Sequence, residues 1–296
     1  MRRKKFRSLP TVRRSVELFQ VAIPFAAIPR PRDDLMFHRF HDERPYELTR
    51  RNREAQRIAW RLGLSPKPGR PFGTEDLPPT LCQRVVAAER RLALAQIYRF
   101  IEALERGDEV VFLTVCRPEW TCEEGELSAK QIGDVRNWMS RRARNLSQYG
   151  QQRMMGFVDV AWNDRTAVGE VSHWSVHAHV LIVVEGLKKG APELCRSAFN
   201  CAGDGERVLK AVFARSLRTD LDILRVGQYN SRALLLEHHQ RRRSYRDRNG
   251  VAQTRDTKLT VAQSVELAAV VHEVGPKGFW ILSGLRRKFG EIQAHS

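Results

Sequence analysis

The sequence predicts an α+β fold: a central antiparallel sheet of the split βαβ (ferredoxin-like) kind, preceded by a basic N-terminal extension that is helical or extended. From residue 110 onward, the hydrophobic patterns follow the order β, α, β, β, α, β and then helices. That is the order of a split βαβ sheet with helices packed on one face. Apolar residues make up 42% of the 296 residues, which is enough for a sizeable core.

The N-terminal quarter of the chain differs in composition from the rest. Residues 1–80 are rich in Pro and Arg, with a helical pattern near 47–63, and are predicted to be a basic arm or accessory region. Residues 81–296 are predicted to form the main domain, with its core at about 108–245. The net charge is +17, and residues 1–100 contribute 22 Lys and Arg against 10 Asp and Glu. Such an excess predicts an anionic partner, most often nucleic acid.

Membrane and secretion signals are weak. No apolar run approaches the roughly 18 residues needed to cross a bilayer, and no convincing signal peptide follows the basic start. Five cysteines without a dense framework fit a reducing compartment. We therefore expect a cytoplasmic protein of bacterial type with no membrane partner.

The first half of the domain has clear element signals. Apolar residues at helical spacing run from Leu81 to Leu104, and Gly107 is expected to end that helix. The run VVFLTVC (110–116) predicts a buried strand. Ser128 and Gln131 form a capping box that opens the next helix. The alternating FVDVAWN (157–163) predicts a second strand.

The second half has more ambiguous signals. A helix is predicted from Pro192, resuming through VLKAVFARSL (208–217), followed by a fourth strand at LDILRV (221–226). The segment 233–250 is predicted as a helix running into a basic loop. A further helix (260–273) and a short strand with a basic end (278–290) complete the chain.

The strand HWSVHAHVLIVV (173–184) carries the strongest chemical signal. Its even positions are all apolar, while the first odd positions are His173, Ser175, His177 and His179. His177 and His179 lie about 6.6 Å apart along a strand, so their imidazoles can converge on one metal ion. The third ligand stays open among His173, Asp159 and Glu170.

Three short motifs, taken together, resemble those of HUH-type rolling-circle replication initiators. They are FLTV (112–115) at the end of a strand, H-A-H (177–179) on a central strand, and VGQYNSRA (226–233). The resemblance covers about residues 110–240. It implies a metal-dependent endonuclease and strand transferase that nicks and rejoins single-stranded DNA through a 5′-phosphotyrosine, initiating replication of a plasmid or phage.

The resemblance also implies roles for individual residues. Tyr229 would be the nucleophile, with Tyr245 as the alternative, and Arg232 stands where the family often has a phosphate-binding Lys. Among the possible third ligands, His173 would give the three-histidine site of relaxases, and Asp159 or Glu170 the acidic ligand of initiators. The residues expected to bind DNA are Arg141, Arg142, Arg241, Arg242 and Arg243.

The implied cofactor is Mg²⁺ or Mn²⁺, and nitrogen ligands favour Mn²⁺. The implied partners are single-stranded or hairpin origin DNA, a host helicase and a polymerase. A relaxase or a single-tyrosine transposase of the same group would share the site, and a non-catalytic DNA-binding protein would explain the charge alone. A cupin-like metal enzyme, using H-A-H and Glu185, conflicts with the long Arg-rich helices.

Overall fold

A computed structural model describes residues 55–63, 83–200, 211–234, 238–288 and 291–294. Residues 55–61 are helical, within the helical pattern predicted near 47–63. From residue 83 onward the α-helices are α1 (Gln83–Glu105), α2 (Ala129–Arg144), α3 (Ala191–Phe199), α4 (Asp220–Ser231) and α5 (Val261–Gly278). Its strands are β1 (Val110–Cys122), β2 (Gln152–Asp164), β3 (His173–Val184), β4 (Val212–Leu217), β5 (Gln240–Arg246), β6 (Ala252–Lys258), β7 (Trp280–Ser283), β8 (Leu285–Lys288) and β9 (Glu291–Ala294). Most of the predicted N-terminal arm, and its boundary at residue 80, lie outside the described residues.

Seven strands form one sheet in the order β4-β1-β3-β2-β5-β6, and β7 also pairs with β2. β1 pairs antiparallel with both β3 and β4, and β3 pairs antiparallel with β2 over its whole length. Along the edge that faces away from β3, β2 pairs with two further strands. Near its own start it pairs antiparallel with β7, and at Trp162–Asp164 it pairs parallel with β5. The α+β class is therefore confirmed. The prediction of a wholly antiparallel sheet is wrong, because β5 adds a parallel pair.

The centre of the sheet is β3, whose residues are buried except for the half-buried Ser175. A strand paired on both edges and covered on both faces excludes water from its even and odd side chains alike. On the even face, Trp174 donates to Glu266 of α5, which packs on α2. On the odd face, His179 contacts Tyr229 of α4. Helices therefore reach both faces of the sheet and not one face as predicted.

Two predicted elements in the second half are reversed. Residues 212–217 form the edge strand β4 instead of a helix, and LDILRV lies within helix α4 instead of a strand. The side chain of Thr219 accepts a hydrogen bond from the backbone N–H of Asp222, and acidic residues occupy the first turn of α4. These groups stabilise a helix N-terminus. The apolar pattern of LDILRV fits either a strand or a helix, and the N-terminal cap favours the helix.

The basic segment after α4 is a β-hairpin and not a helix followed by a loop. β5 and β6 pair antiparallel from Gln240 opposite Lys258 to Arg246 opposite Ala252. Asp247 accepts from the backbone N–H groups of Asn249 and Val251, and Gly250 has a φ of 75°. Asn-Gly with a preceding Asp is a turn signal of this kind.

Among the described residues, none of the helices has the length and apolar character that crossing a bilayer would require.

Gly156 is expected to be indispensable for the pairing that supports the site. A Cβ on Gly156 would lie 2.0 Å from the His179 carbonyl oxygen and 2.5 Å from Val180 Cα, which are backbone atoms that cannot move aside cheaply. Gly156→Ala should therefore lower the free energy of unfolding by about 3 kcal/mol. Urea denaturation measures this, with Gly133→Ala as the control. Gly133 lies in α2 with open space around its Cα, so alanine there should stabilise the protein by about 0.5–1 kcal/mol.

Candidate metal centre

Asp159, His177 and His179 form a buried cluster on the odd face of the sheet. The Asp159 Oδ2 atom lies 3.4 Å from His177 Nε2 and 3.6 Å from His179 Nε2. All three ligand atoms lie within 4.8 Å of one another. The arrangement follows from strand register, because Asp159 on β2 stands directly opposite His177 on β3.

The outer nitrogen of each imidazole is already engaged. Nδ1 of His179 lies 2.9 Å from the Thr114 hydroxyl on β1, and Nδ1 of His177 lies 3.3 Å from the Ser175 carbonyl oxygen. When each Nδ1 carries the proton, both Nε2 lone pairs point into the cluster. His179 Nε2 is buried and has no hydrogen-bond partner within the described part of the chain. One carboxylate oxygen and two imidazole nitrogens form a donor set that fits a divalent metal ion.

His239 contacts the other oxygen of the same carboxylate. Its Nδ1 atom lies 3.3 Å from Asp159 Oδ1 and 2.8 Å from the Val160 carbonyl oxygen, and its Nε2 lies 3.0 Å from the Ala233 carbonyl oxygen. Both ring nitrogens therefore face acceptors, which suits an imidazolium. His239 thus holds Oδ1 and leaves Oδ2 directed at the two ligand histidines.

The protonation states follow from burial and these contacts. Burial alone would raise the pKa of Asp159, but its contacts with His177, His179 and His239 hold that pKa well below its usual range. Burial lowers the pKa of His179, although Asp159 opposes this effect. Burial would also lower the pKa of His239, but Asp159 and the two carbonyl groups raise it overall. An ionised carboxylate beside a neutral imidazole is the form that binds metal ions.

Tyr229 lies against the cluster from the last turn of α4. Its ring centroid is 5.3 Å from that of His179 and 5.6 Å from that of His238, edge to face in both cases. Burial, followed by the charge of Asp159, raises the pKa of Tyr229, whereas Arg242 lowers it through charge and a hydrogen bond. Tyr229 was expected at a strand-to-helix junction, and it lies instead near the C-terminal end of a helix.

The other two possible third ligands lie away from the cluster. His173 Nε2 lies 3.3 Å from Asn163 Nδ2 at the far end of the β2–β3 pair, and its Nδ1 lies 3.2 Å from the Val171 carbonyl oxygen. Glu170 is exposed in the β2–β3 connection and pairs with Arg165. Of the three alternatives, only Asp159 belongs to the metal-ligand group found among the described residues.

The predicted DNA-binding arginines of β5 divide between the two faces of the hairpin. Arg241 donates to Asp164 at 2.8 Å, and Arg243 lies 3.7 Å from the same carboxylate oxygen. Arg242 stands opposite Asn163 in the register of β5 and β2, so it lies on the metal-site face. There its charge and a hydrogen bond oppose the rise in the pKa of Tyr229. Tyr245, the alternative nucleophile, is exposed on the same strand. Arg232 is exposed just beyond α4.

Arg141 and Arg142 lie elsewhere. Arg141 borders a polar groove together with Gln152 and Ser283. Gln152 is the first residue of β2 and lies seven residues before Asp159. The guanidinium of Arg142 stacks over Trp138 at 5.2 Å. Neither arginine contributes to the metal cluster.

His239 and the contact of Thr114 with the metal site were not predicted from the sequence. His238 and His239 form a His pair just before the Arg run, which was the available signal. The pair was assigned to a helix, and that assignment concealed its proximity to β2. No family model, curated protein or solved structure matches this chain.

Proposed function

We propose that this protein is a metal-dependent enzyme that cuts and rejoins single-stranded DNA through a covalent tyrosine intermediate, as a rolling-circle replication initiator of a bacterial plasmid or phage. The observation that carries the proposal is the contact of the Tyr229 ring with His179, one of the residues of a buried Asp-His-His cluster. A tyrosine beside a metal-binding group is the minimum that such chemistry requires.

The sheet adds support. β1, α2, β2, β3, α3 and β4 follow a β-α-β-β-α-β order, and their strands lie in the order β4-β1-β3-β2 with antiparallel pairs throughout. Within a sheet that is mixed as a whole, this subset of strands is compatible with the ferredoxin-like core that the HUH resemblance implies. The two ligand histidines lie on β3, one of its two central strands. β5 and β6 are additions at the β2 edge.

Asp159, His177 and His179 would hold the ion, either Mg²⁺ or Mn²⁺, and Mn²⁺ suits the two nitrogen ligands better. When bound, such an ion would polarise the scissile phosphate and offset the negative charge that develops on its oxygens. Thr114 and His239 orient two of the ligands. Phosphodiester exchange changes no oxidation state, so the reaction needs no redox chemistry.

Tyr229 would carry the DNA strand. The Tyr229 hydroxyl loses its proton and its oxygen forms a bond to the phosphorus while the bond from phosphorus to the 3′ oxygen breaks. The departing oxygen takes up one proton to become a free 3′-OH, so the step releases no net proton. Arg242 favours the phenolate that attacks, against the effect of burial. Joining is the reverse reaction, in which a 3′-OH displaces the phenolate.

The hairpin β5–β6 would hold the nucleic acid backbone. It contains seven basic and two acidic residues between positions 240 and 258, and Arg242 links its charged surface to the metal-site face. The same charge would serve a DNA-binding protein without catalytic activity. A relaxase or a single-tyrosine transposase would use the same cluster.

The test is the formation of a covalent adduct. The full-length protein is incubated with a pool of single-stranded oligonucleotides and Mn²⁺ or Mg²⁺, and the products are separated on a denaturing gel. We expect a protein–DNA band that requires the metal and disappears in EDTA or in His177→Ala. Tight, salt-sensitive binding without any adduct would overturn the enzymatic proposal and favour the non-catalytic DNA-binding protein.

A further inference from the structure

Phe213 is an exposed aromatic residue of the main sheet. It lies on β4, the edge strand, and 44% of its surface is accessible. An isolated exposed phenyl ring is unremarkable by itself. Phe213 is of interest because the strand register connects it to the metal cluster.

A cross-strand ladder joins Phe213 to the metal ligands. Phe213 stands opposite Thr114 on β1, and Thr114 stands opposite His179 on β3. Directly opposed residues of neighbouring strands project to the same face, so Phe213 belongs to the face that carries the cluster. Two strand spacings place its backbone about 10 Å from that of His179.

A positive charge lies next to this ring. Arg215, two residues along β4 and on the same face, is exposed, and its guanidinium lies 5.8 Å from the centre of the Phe112 ring. Phe112 in turn stacks on His179, with ring centroids 5.8 Å apart. The Phe213 ring and the Arg215 guanidinium therefore extend the metal-site face toward the β4 edge of the sheet. Arg242 lies on the other side of the metal cluster, on β5.

We propose that Phe213 is a stacking platform for an unpaired base, with Arg215 contacting the adjoining phosphate, so that a single strand crosses the sheet edge toward the metal cluster. Aromatic rings bind bases of any sequence through their π faces. Bases within a duplex already stack on their neighbours and offer no free face, so the ligand is single-stranded nucleic acid. The direction of the strand toward the cluster rests on the proposed function, but the stacking does not.

Fluorescence anisotropy with a labelled single-stranded 20-mer and the corresponding duplex tests this inference on the full chain. Phe213→Ala should weaken single-strand binding about tenfold and leave duplex binding unchanged, whereas Phe213→Trp should retain single-strand binding. The matched control is Val261→Ala, an exposed apolar residue at the start of α5, which should change neither affinity. Because Phe213 is exposed, its variants should melt at the wild-type temperature.

His177→Ala separates this inference from the proposed function, because it should lose the adduct and keep single-strand affinity. If no adduct forms with wild type but Phe213→Ala still weakens single-strand binding, the stacking platform stands and the nicking proposal falls. An unchanged affinity of Phe213→Ala overturns the stacking platform, even if the adduct forms. A change in sedimentation of Phe213→Ala without a change in affinity also overturns it, in favour of self-association through β4.

Discussion

Tyr229→Phe is expected to abolish the covalent protein–DNA adduct while leaving the fold and metal binding intact. The substitution removes the hydroxyl oxygen that would bond to phosphorus and keeps the ring that packs against His179 and His238. Loss of a covalent nucleophile removes its step entirely, so adduct formation should fall by at least about 10³-fold. The adduct is measured on a denaturing gel with labelled oligonucleotide, and the fold by thermal melting.

Tyr245→Phe is the matched control, since it makes the same chemical change on the hairpin. Tyr245 is exposed and pairs with Gln253 across the hairpin, so its loss should leave adduct formation near the wild-type level. If Tyr245→Phe abolished the adduct and Tyr229→Phe kept it, the nucleophile would be Tyr245. Survival of the adduct in both variants would exclude both tyrosines.

The alternation of β3 was predictable because it is a property of one strand. The sequence HWSVHAHVLIVV predicts a strand at the residues where it is found and places His177 and His179 on one face. The pairing of that strand with β2 is not a property of either strand alone. Asp159, His173 and Glu170 were therefore equivalent until register put Asp159 opposite His177.

The second half of the chain was harder to predict for a different reason. LDILRV has apolar residues at spacings that suit both a strand and one side of a helix, and Thr219 with Asp222 settles it as a helix. The Arg run after it was assigned to a loop because charge dominates its composition. Its strand character comes from the pairing with residues 252–258 across the turn at Asn249 and Gly250, and not from any apolar alternation of its own.

The misassigned segments are also those that complete the site. α4 brings Tyr229 to His179, and the entry to β5 brings His239 to Asp159 and Arg242 to Tyr229. The first two of these contacts join residues 50 and 80 positions apart in the chain, and the third joins two segments that were assigned to different elements. Local patterns identify the ligand strand, whereas the groups that surround the ligands depend on how distant segments pack.

Asp159→Asn is expected to cause the largest loss of metal affinity among single substitutions of the candidate third ligands. The carboxylate lies within 3.6 Å of both ligand nitrogens and is ionised because three histidines contact it. Asparagine keeps the shape but removes the charge that offsets a divalent cation. A residue that only orients a ligand typically contributes 10- to 100-fold to affinity, so loss of the carboxylate itself should weaken Mn²⁺ binding by more than about 100-fold in isothermal titration calorimetry.

His173→Gln and Glu170→Gln are the control variants, because they change the other two candidate third ligands. Each removes one of the ligands that the sequence left open, and each lies outside the Asp-His-His group, so both should bind Mn²⁺ with wild-type affinity. Saturating Mn²⁺ should also raise the melting temperature of both comparison variants but not that of Asp159→Asn, because an ion stabilises only the state that binds it. Wild-type affinity in Asp159→Asn, together with a loss in His173→Gln, would assign the site to three histidines and remove the carboxylate from it.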